Sequence, residues 1–137
     1  ALALMPDDQD CYNDRGYTYS ELNQNRRAIE DYTKAIELKR DFLLAYDNRA
    51  AAYMRTGEYE KAQEDSNEVI SLEPRHALGH YNRACALSQL GRCSEAFSAL
   101  KVAIELDAVL LNEARNDDDL KACQDHPDFA DLIGGMP

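Results

Sequence analysis

Thirty-four residues separate Tyr12 from Tyr46 and Tyr46 from His80, and each of the three opens a similar stretch. The stretches read "YNDRGYTYSELNQNRRA", "YDNRAAAYMRTGEYEKA" and "HYNRACALSQLGRCSEA". In this register Arg15, Arg49 and Arg83 coincide, as do Ala28, Ala62 and Ala96, then Ile36, Ile70 and Ile104, then Leu38, Leu72 and Leu106. Small residues coincide at Gly16, Ala50 and Ala84, and large ones at Tyr19, Tyr53 and Leu87. Self-similarity at a fixed period of this length marks an array of identical supersecondary units. None of these can bury its apolar face alone, and the faces are buried by stacking.

Within a copy the apolar spacing is helical. In the middle copy Tyr46, Ala50 and Tyr53 share one helix face, and Ala62, Val69 and Leu72 share another, at separations of three, four and seven residues. Between them lies "RTGEY", where Gly57 can take the left-handed conformation that ends a helix. Glu58 and Glu60 then place negative charge at the start of the next one, where the helix dipole favours it. Gly91 stands at the matching turn of the third copy and Asn23 at that of the first, Asn being the next best residue for a left-handed cap. Pro74 predicts the end of the second helix, and Arg40 and Ala108 at the corresponding positions predict less sharply marked exits. Each copy is thus predicted to be a helix, a tight turn and a second helix. Gly16, Ala50 and Ala84 face Ala28, Ala62 and Ala96 across each hairpin, so that the two helices approach closely.

This large–small–aromatic–Ala–Pro pattern resembles the tetratricopeptide repeat, with the best match in Tyr46, Ala50, Tyr53, Gly57, Tyr59, Ala62 and Pro74. The resemblance covers roughly residues 9–110. It implies an all-α, right-handed superhelical stack of three hairpins, 9–42, 43–76 and 77–110, after an N-terminal extension over 1–8. Residues 111–137 hold seven acidic and two basic side chains and do not complete a fourth copy. They predict short capping helices: Val109, Leu110, Leu111 and Ala114 continue as one, "NDDD" caps another before Leu120 and Cys123, and "DHP" starts a last one. Phe129, Leu132 and Ile133 follow in that last helix, and Gly134 and Gly135 end it.

Composition narrows the function. A net charge of −11 repels phosphate backbones and anionic headgroups, which argues against nucleic acid and bare membrane as direct partners. Cys11, Cys85, Cys93 and Cys123 show no metal-ligand spacing and read as small, reduced, apolar residues, with a Cys85–Cys93 or Cys93–Cys123 bridge as the alternative. The Asp run reads as a solvated cap, since it lacks the alternating ligands of a calcium loop. His76 and His80 lie four apart without the motif of a metalloprotease, and no nucleophile elbow or phosphate-cradling loop is present. Neither an enzyme nor a cofactor is expected. The chain begins with Ala1 rather than Met, so a processed or truncated start is expected, with a fragment of a longer protein as one possibility and the cytoplasm as the expected compartment.

The resemblance implies peptide binding on the concave side, lined by the first helix of each hairpin. The candidates there are Asp10, Asn13, Asp14, Tyr17 and Glu21, then Leu44, Asp47, Asn48, Ala51 and Arg55, then Leu78, Tyr81, Asn82, Cys85 and Gln89. Among these Asn13, Asp14, Tyr17, Asp47, Asn48, Arg55, Tyr81 and Asn82 form the expected peptide site. An amide offers donor and acceptor together and so can hold a main chain. The chaperone-binding subclass grips a C-terminal carboxylate with Lys, Arg and Asn. Here Asn13 and Tyr17 stand where Lys and Asn are needed, and Leu78 and Asn82 where Lys and Arg are needed; only Asn48 fits. The expected ligand is therefore a basic or apolar segment of a partner protein, and the expected role is that of an adaptor or scaffold, monomeric or homodimeric. A self-associating structural element is the alternative, and a co-chaperone domain is less favoured. Arg15, Arg49 and Arg83 read as structural, each pairing with a carboxylate such as Asp31 or Asp65, at a modest ~0–1 kcal/mol if exposed.

Overall fold

A computed structural model of the chain describes residues 8–129, 131 and 132. Six helices of near-equal length form three hairpins: α1 (Gln9–Glu21) with α2 (Asn25–Leu38), α3 (Leu43–Thr56) with α4 (Tyr59–Leu72), and α5 (Ala77–Gln89) with α6 (Cys93–Leu106). A short α7 (Leu110–Asn116), a 3-10 helix (Asp118–Cys123) and a single turn, α8 (Pro127–Phe129), follow. There is no strand among the described residues. Hairpins meet through α2 against α3 and α4 against α5. Consecutive first helices touch each other more closely than consecutive second helices do, so the superhelical stack bends toward the face lined by α1, α3 and α5.

The turns follow the local chemistry. Gly57 and Gly91 take φ of 80° and 77°, and Asn23 takes 62°. The exits differ from expectation. All three second helices stop at the same register, at Leu38, Leu72 and Leu106, followed by an extended Lys39, Glu73 or Asp107. The helices without a proline end as sharply as the one before Pro74, because the next hairpin must start at a fixed height in the stack. Ile133, Gly134 and Gly135 lie outside the described residues, as does the N-terminal extension except Asp8, which caps α1 by accepting from the Asp10 and Cys11 amides.

The core is built from small-against-large pairs. Ala28, Ala62 and Ala96 are fully buried, as are Ala50 and Ala84. Gly16 is opposed by the ring of Tyr32. A Cβ added at Gly16 would sit 2.7 Å from Tyr32 Cε1, whereas Ala50 and Ala84 have Ser66 and Leu100 at the position of Tyr32. Gly16→Ala is therefore expected to destabilise by about 1–3 kcal/mol. Adding Tyr32→Leu, which reproduces the Ala84–Leu100 pair, is expected to return part of that loss in urea titrations. A fully stable single variant would contradict this packing.

The arginines are structural, and two of them are more deeply placed than a surface ion pair. Arg49 donates from Nε and Nη2 to both Asp65 oxygens at 2.7 Å, and from Nη1 to Thr33 Oγ1 of the preceding hairpin at 3.1 Å. Its guanidinium lies 5.7 Å from the ring centres of both Tyr46 and Tyr53. Burial is the strongest influence and opposes the Arg49 charge, but the hydrogen bonds to Asp65 and the attraction of its charge together raise the pKa. Arg15 makes the same two bonds to Asp31 at 2.7 Å, and Arg83, with Ala99 where Asp65 would recur, turns back to Asn67 at 2.9 Å.

The two ends of the stack differ. Phe42, which precedes α3, and Ala45 and Ala52 on it turn toward the preceding hairpin, and all three are buried. Asp8, Cys11 and Thr18 take those positions at α1, so the leading face carries polar groups. At the trailing end Leu110, Ala114, Leu120, Cys123 and Phe129 complete one core with α5 and α6. Cys93 and Cys123 are joined in a disulfide, their Cα atoms 5.5 Å apart. This corrects the expectation of four reduced cysteines in favour of the Cys93–Cys123 bridge, one of the two alternatives to it. The backbone of the capping segment brings a residue 30 positions away onto the first turn of α6, which spacing alone could not reveal. Cys11 and Cys85 remain thiols.

Candidate concave interaction face

The inner face is a row of side chains from α1, α3 and α5, linked from one helix to the next. Asn48 Nδ2 donates to Asn13 Oδ1 at 3.1 Å, Asn82 Nδ2 to Asp47 Oδ1 at 3.0 Å, and Arg55 to Ser20 Oγ. Each link spans 35 residues, one more than the repeat period. That offset was present in the sequence and identifies these partners once first helices are known to be neighbours. Asp47 also lies 3.3 Å from His76 Nε2, so it holds both Asn82 of the following hairpin and the residue that leads into it. Because a carboxylate can only accept, Asn82 must present its NH2 to Asp47, and its carbonyl oxygen is the amide's remaining acceptor.

The candidate residues separate into two groups. Tyr17, Leu44 and Leu78 project into solvent, 54%, 57% and 47% exposed, with Asp10, Asp14, Glu21 and Arg55 exposed around them. Asp47, Asn48, Ala51 and Asn82 are half-buried along the row, and Asn13 is buried beneath Asn48.

Tyr81 departs from the reading as a groove side chain. It is 6% exposed, and its hydroxyl donates to Asp117 at 2.7 Å. Burial, followed by that bond to a carboxylate, drives its pKa far upward. Cys85 is buried beside it, with Sγ 3.7 Å from Asp117, and Gln89 donates to Asp119 at 3.0 Å. The start of the 3-10 helix thus covers the inner face of α5, where the first helix of a further hairpin would otherwise lie. The "NDDD" run reads as a helix cap, which Asp117 supplies, but it carries no signal that Asp117 and Asp119 reach α5.

Cys85, Asp117 and Asp119 are a group whose ligand atoms lie within 4.8 Å of one another. Their donors Tyr81 and Gln89 already use the carboxylates, and burial raises the pKa of both Cys85 and Asp119, which disfavours the anionic forms a metal needs. His76 and His80 point to different partners, Asp47 and the Pro74 carbonyl, rather than to a shared site.

Residues 10–42 and 43–76 each match a family model described as tetratricopeptide repeat. The chain is a tetratricopeptide repeat protein, a class whose common role is protein interaction. Among solved structures it is similar to the second TPR of Spaghetti (RPAP3) bound to the HSP90 peptide SRMEEVD, with 29% identity, a TM-score of 0.71 and coverage of 72% of this chain and 92% of that one. It is also similar to MamA, with 18% identity, a TM-score of 0.83 and coverage of 98% and 77%. The second TPR domain of human RPAP3, in complex with the HSP70 peptide SGPTIEEVD, matches with 22% identity, a TM-score of 0.70 and coverage of 96% and 98%. The last two likenesses, under 25% identity, concern the fold alone. No match to the sequence emerges among curated proteins.

Proposed function

We propose that this protein is a non-catalytic adaptor whose inner face, formed by α1, α3 and the near edge of α5, binds an extended segment of a partner protein with basic and apolar side chains. The observation that carries this reading is the exposure of Tyr17, Leu44 and Leu78 among Asp10, Asp14 and Glu21. Apolar surface offers contact area, and the carboxylates offer charge-assisted hydrogen bonds to Lys or Arg. Arg55, the cation within that set, already donates to Ser20. The relatives bound to SRMEEVD and SGPTIEEVD support peptide capture as a use of such a face. An acidic C-terminus fits this one poorly, since neutral side chains take the places of the clamp's cations and carboxylates stand nearby on the same helices.

The test is fluorescence anisotropy with two labelled peptides, one alternating Lys or Arg with Leu, the other ending in EEVD. The basic peptide is expected to bind and the acidic one to bind far more weakly. Tyr17→Ala is expected to weaken binding of the basic peptide by about 1–2 kcal/mol, and Asp14→Lys to weaken it in a salt-dependent way, both with little change in melting because both side chains are exposed. Asn48→Ala is a poorer probe than the sequence implied: it leaves the buried Asn13 oxygen unpaired, about 1–3 kcal/mol of stability by itself. Tighter binding of the EEVD peptide, or a dimer in light scattering that buries Tyr17 and Leu44, would overturn the reading.

A further inference from the structure

One covalent bond ties the C-terminal segment to the stack. Cys93 is the first residue of α6, and its partner Cys123 ends the 3-10 helix. That segment lies on α5, where Asp117 and Asp119 accept from Tyr81 and Gln89 and Leu120 is buried. The two sulfurs belong to unlike surroundings. Cys93 is partly open to solvent and Cys123 is buried. The free amides at the start of α6 favour negative charge at its first residue. That position and the partial exposure of Cys93 make this disulfide more reducible than one between two cysteines enclosed in apolar core. The helix pairs that hold α1 to α6 together do not involve this bond, so they persist without it.

We propose that the Cys93–Cys123 disulfide is a redox-operated latch: oxidised, it holds residues 117–123 over α5, and reduced, it lets them lift and uncovers Tyr81, Cys85 and Gln89. The reductant is a dithiol. One of its thiolates attacks Sγ of Cys93, the less buried of the two residues, the S–S bond breaks, and Cys123 leaves and takes a proton. The second thiol of the reductant then attacks its own sulfur in the mixed disulfide, forming a cyclic disulfide and releasing Cys93. Two electrons pass from the dithiol to the protein cysteines. Oxidising compartments hold the latch closed and thiol-rich ones open it. The consequence is a longer inner face in the reduced protein, and the latch stands or falls independently of which peptide that face binds.

The buried Cys85 reports the opening. The full-length chain is purified without reductant, and labelling of Cys85 by a maleimide is followed by peptide mass spectrometry in the wild type, Cys93→Ser and Cys123→Ser, with Cys11 on α1 as internal reference. Loss of the cross-link is expected to speed Cys85 labelling about 30- to 1,000-fold. Amides of residues 116–124 are expected to lose hydrogen-exchange protection while those of α1 to α4 keep it. Four free thiols in the air-oxidised wild type, unchanged Cys85 labelling in both variants, or protection lost together along the whole chain would each overturn the latch.

Discussion

Arg49→Met is expected to lose about 3–5 kcal/mol of stability at neutral pH, a large share of what a domain of this size possesses. The side chain removed is half of a two-bond pair with Asp65, whose side chain is only 5% exposed. Methionine refills much of the volume between Tyr46 and Tyr53, so the loss measures an unpaired buried carboxylate rather than a cavity. Two controls isolate that cause. Arg15→Met is expected to cost less, because Arg15 is 34% exposed and water can reach Asp31 once it is gone. Arg49→Met combined with Asp65→Leu is expected to recover most of the loss, since an apolar pair of similar volume replaces two charges that had to be desolvated.

The same variant carries a pH signature. Burial pushes the Asp65 carboxyl up even in the presence of Arg49, and without the guanidinium nothing opposes that push. A carboxyl with a raised folded-state pKa binds its proton more tightly when folded. Its cost to stability is therefore full above the folded pKa and disappears below the unfolded value, near 3.9. The deficit of Arg49→Met in urea titrations should shrink as pH falls from 7 toward 4. A deficit independent of pH would mean that the pair acts through packing alone.

Phe129→Ala is the second large effect, about 3–5 kcal/mol for an aromatic side chain removed from a closed core. Phe129 is fully buried, and its ring meets Phe97 edge-on, with centres 6.0 Å apart and planes at 66°. It belongs to the trailing core shared by α5, α6 and the capping segment. In a stack each unit feels mainly its neighbours, so the damage should be local before it is global. Hydrogen exchange in α5 and α6 should accelerate well before exchange in α1 and α2, and the urea transition should broaden. Uniform acceleration along the chain would show the three hairpins to be one cooperative unit. A near-native variant would show that the capping segment adds nothing to the stack.

Much of the architecture was legible in the residues because it rests on local chemistry repeated three times. The left-handed turns at Asn23, Gly57 and Gly91, the paired small residues and the helical apolar stripes follow from backbone sterics and from the need of each hairpin to bury a face. Half of the inner face was legible too: Tyr17, Leu44 and Leu78 are exposed where the register put them. The rest required knowing what lies against each side chain. Tyr81 and Tyr17 stand four positions, about one helical turn, apart in the repeat register, and one is covered while the other is open.

The sequence by itself determined the unit, its period and the face it turns to its neighbours, because backbone preferences and the spacing of apolar residues act within a few turns of chain. Only the tertiary structure decided what the end of the stack does with its last exposed face. There a non-repeating tail brought Asp117 to Tyr81 and Cys123 to Cys93. No local propensity encodes such contacts; they arise because an uncovered apolar surface takes whatever chain is tethered near enough to bury it.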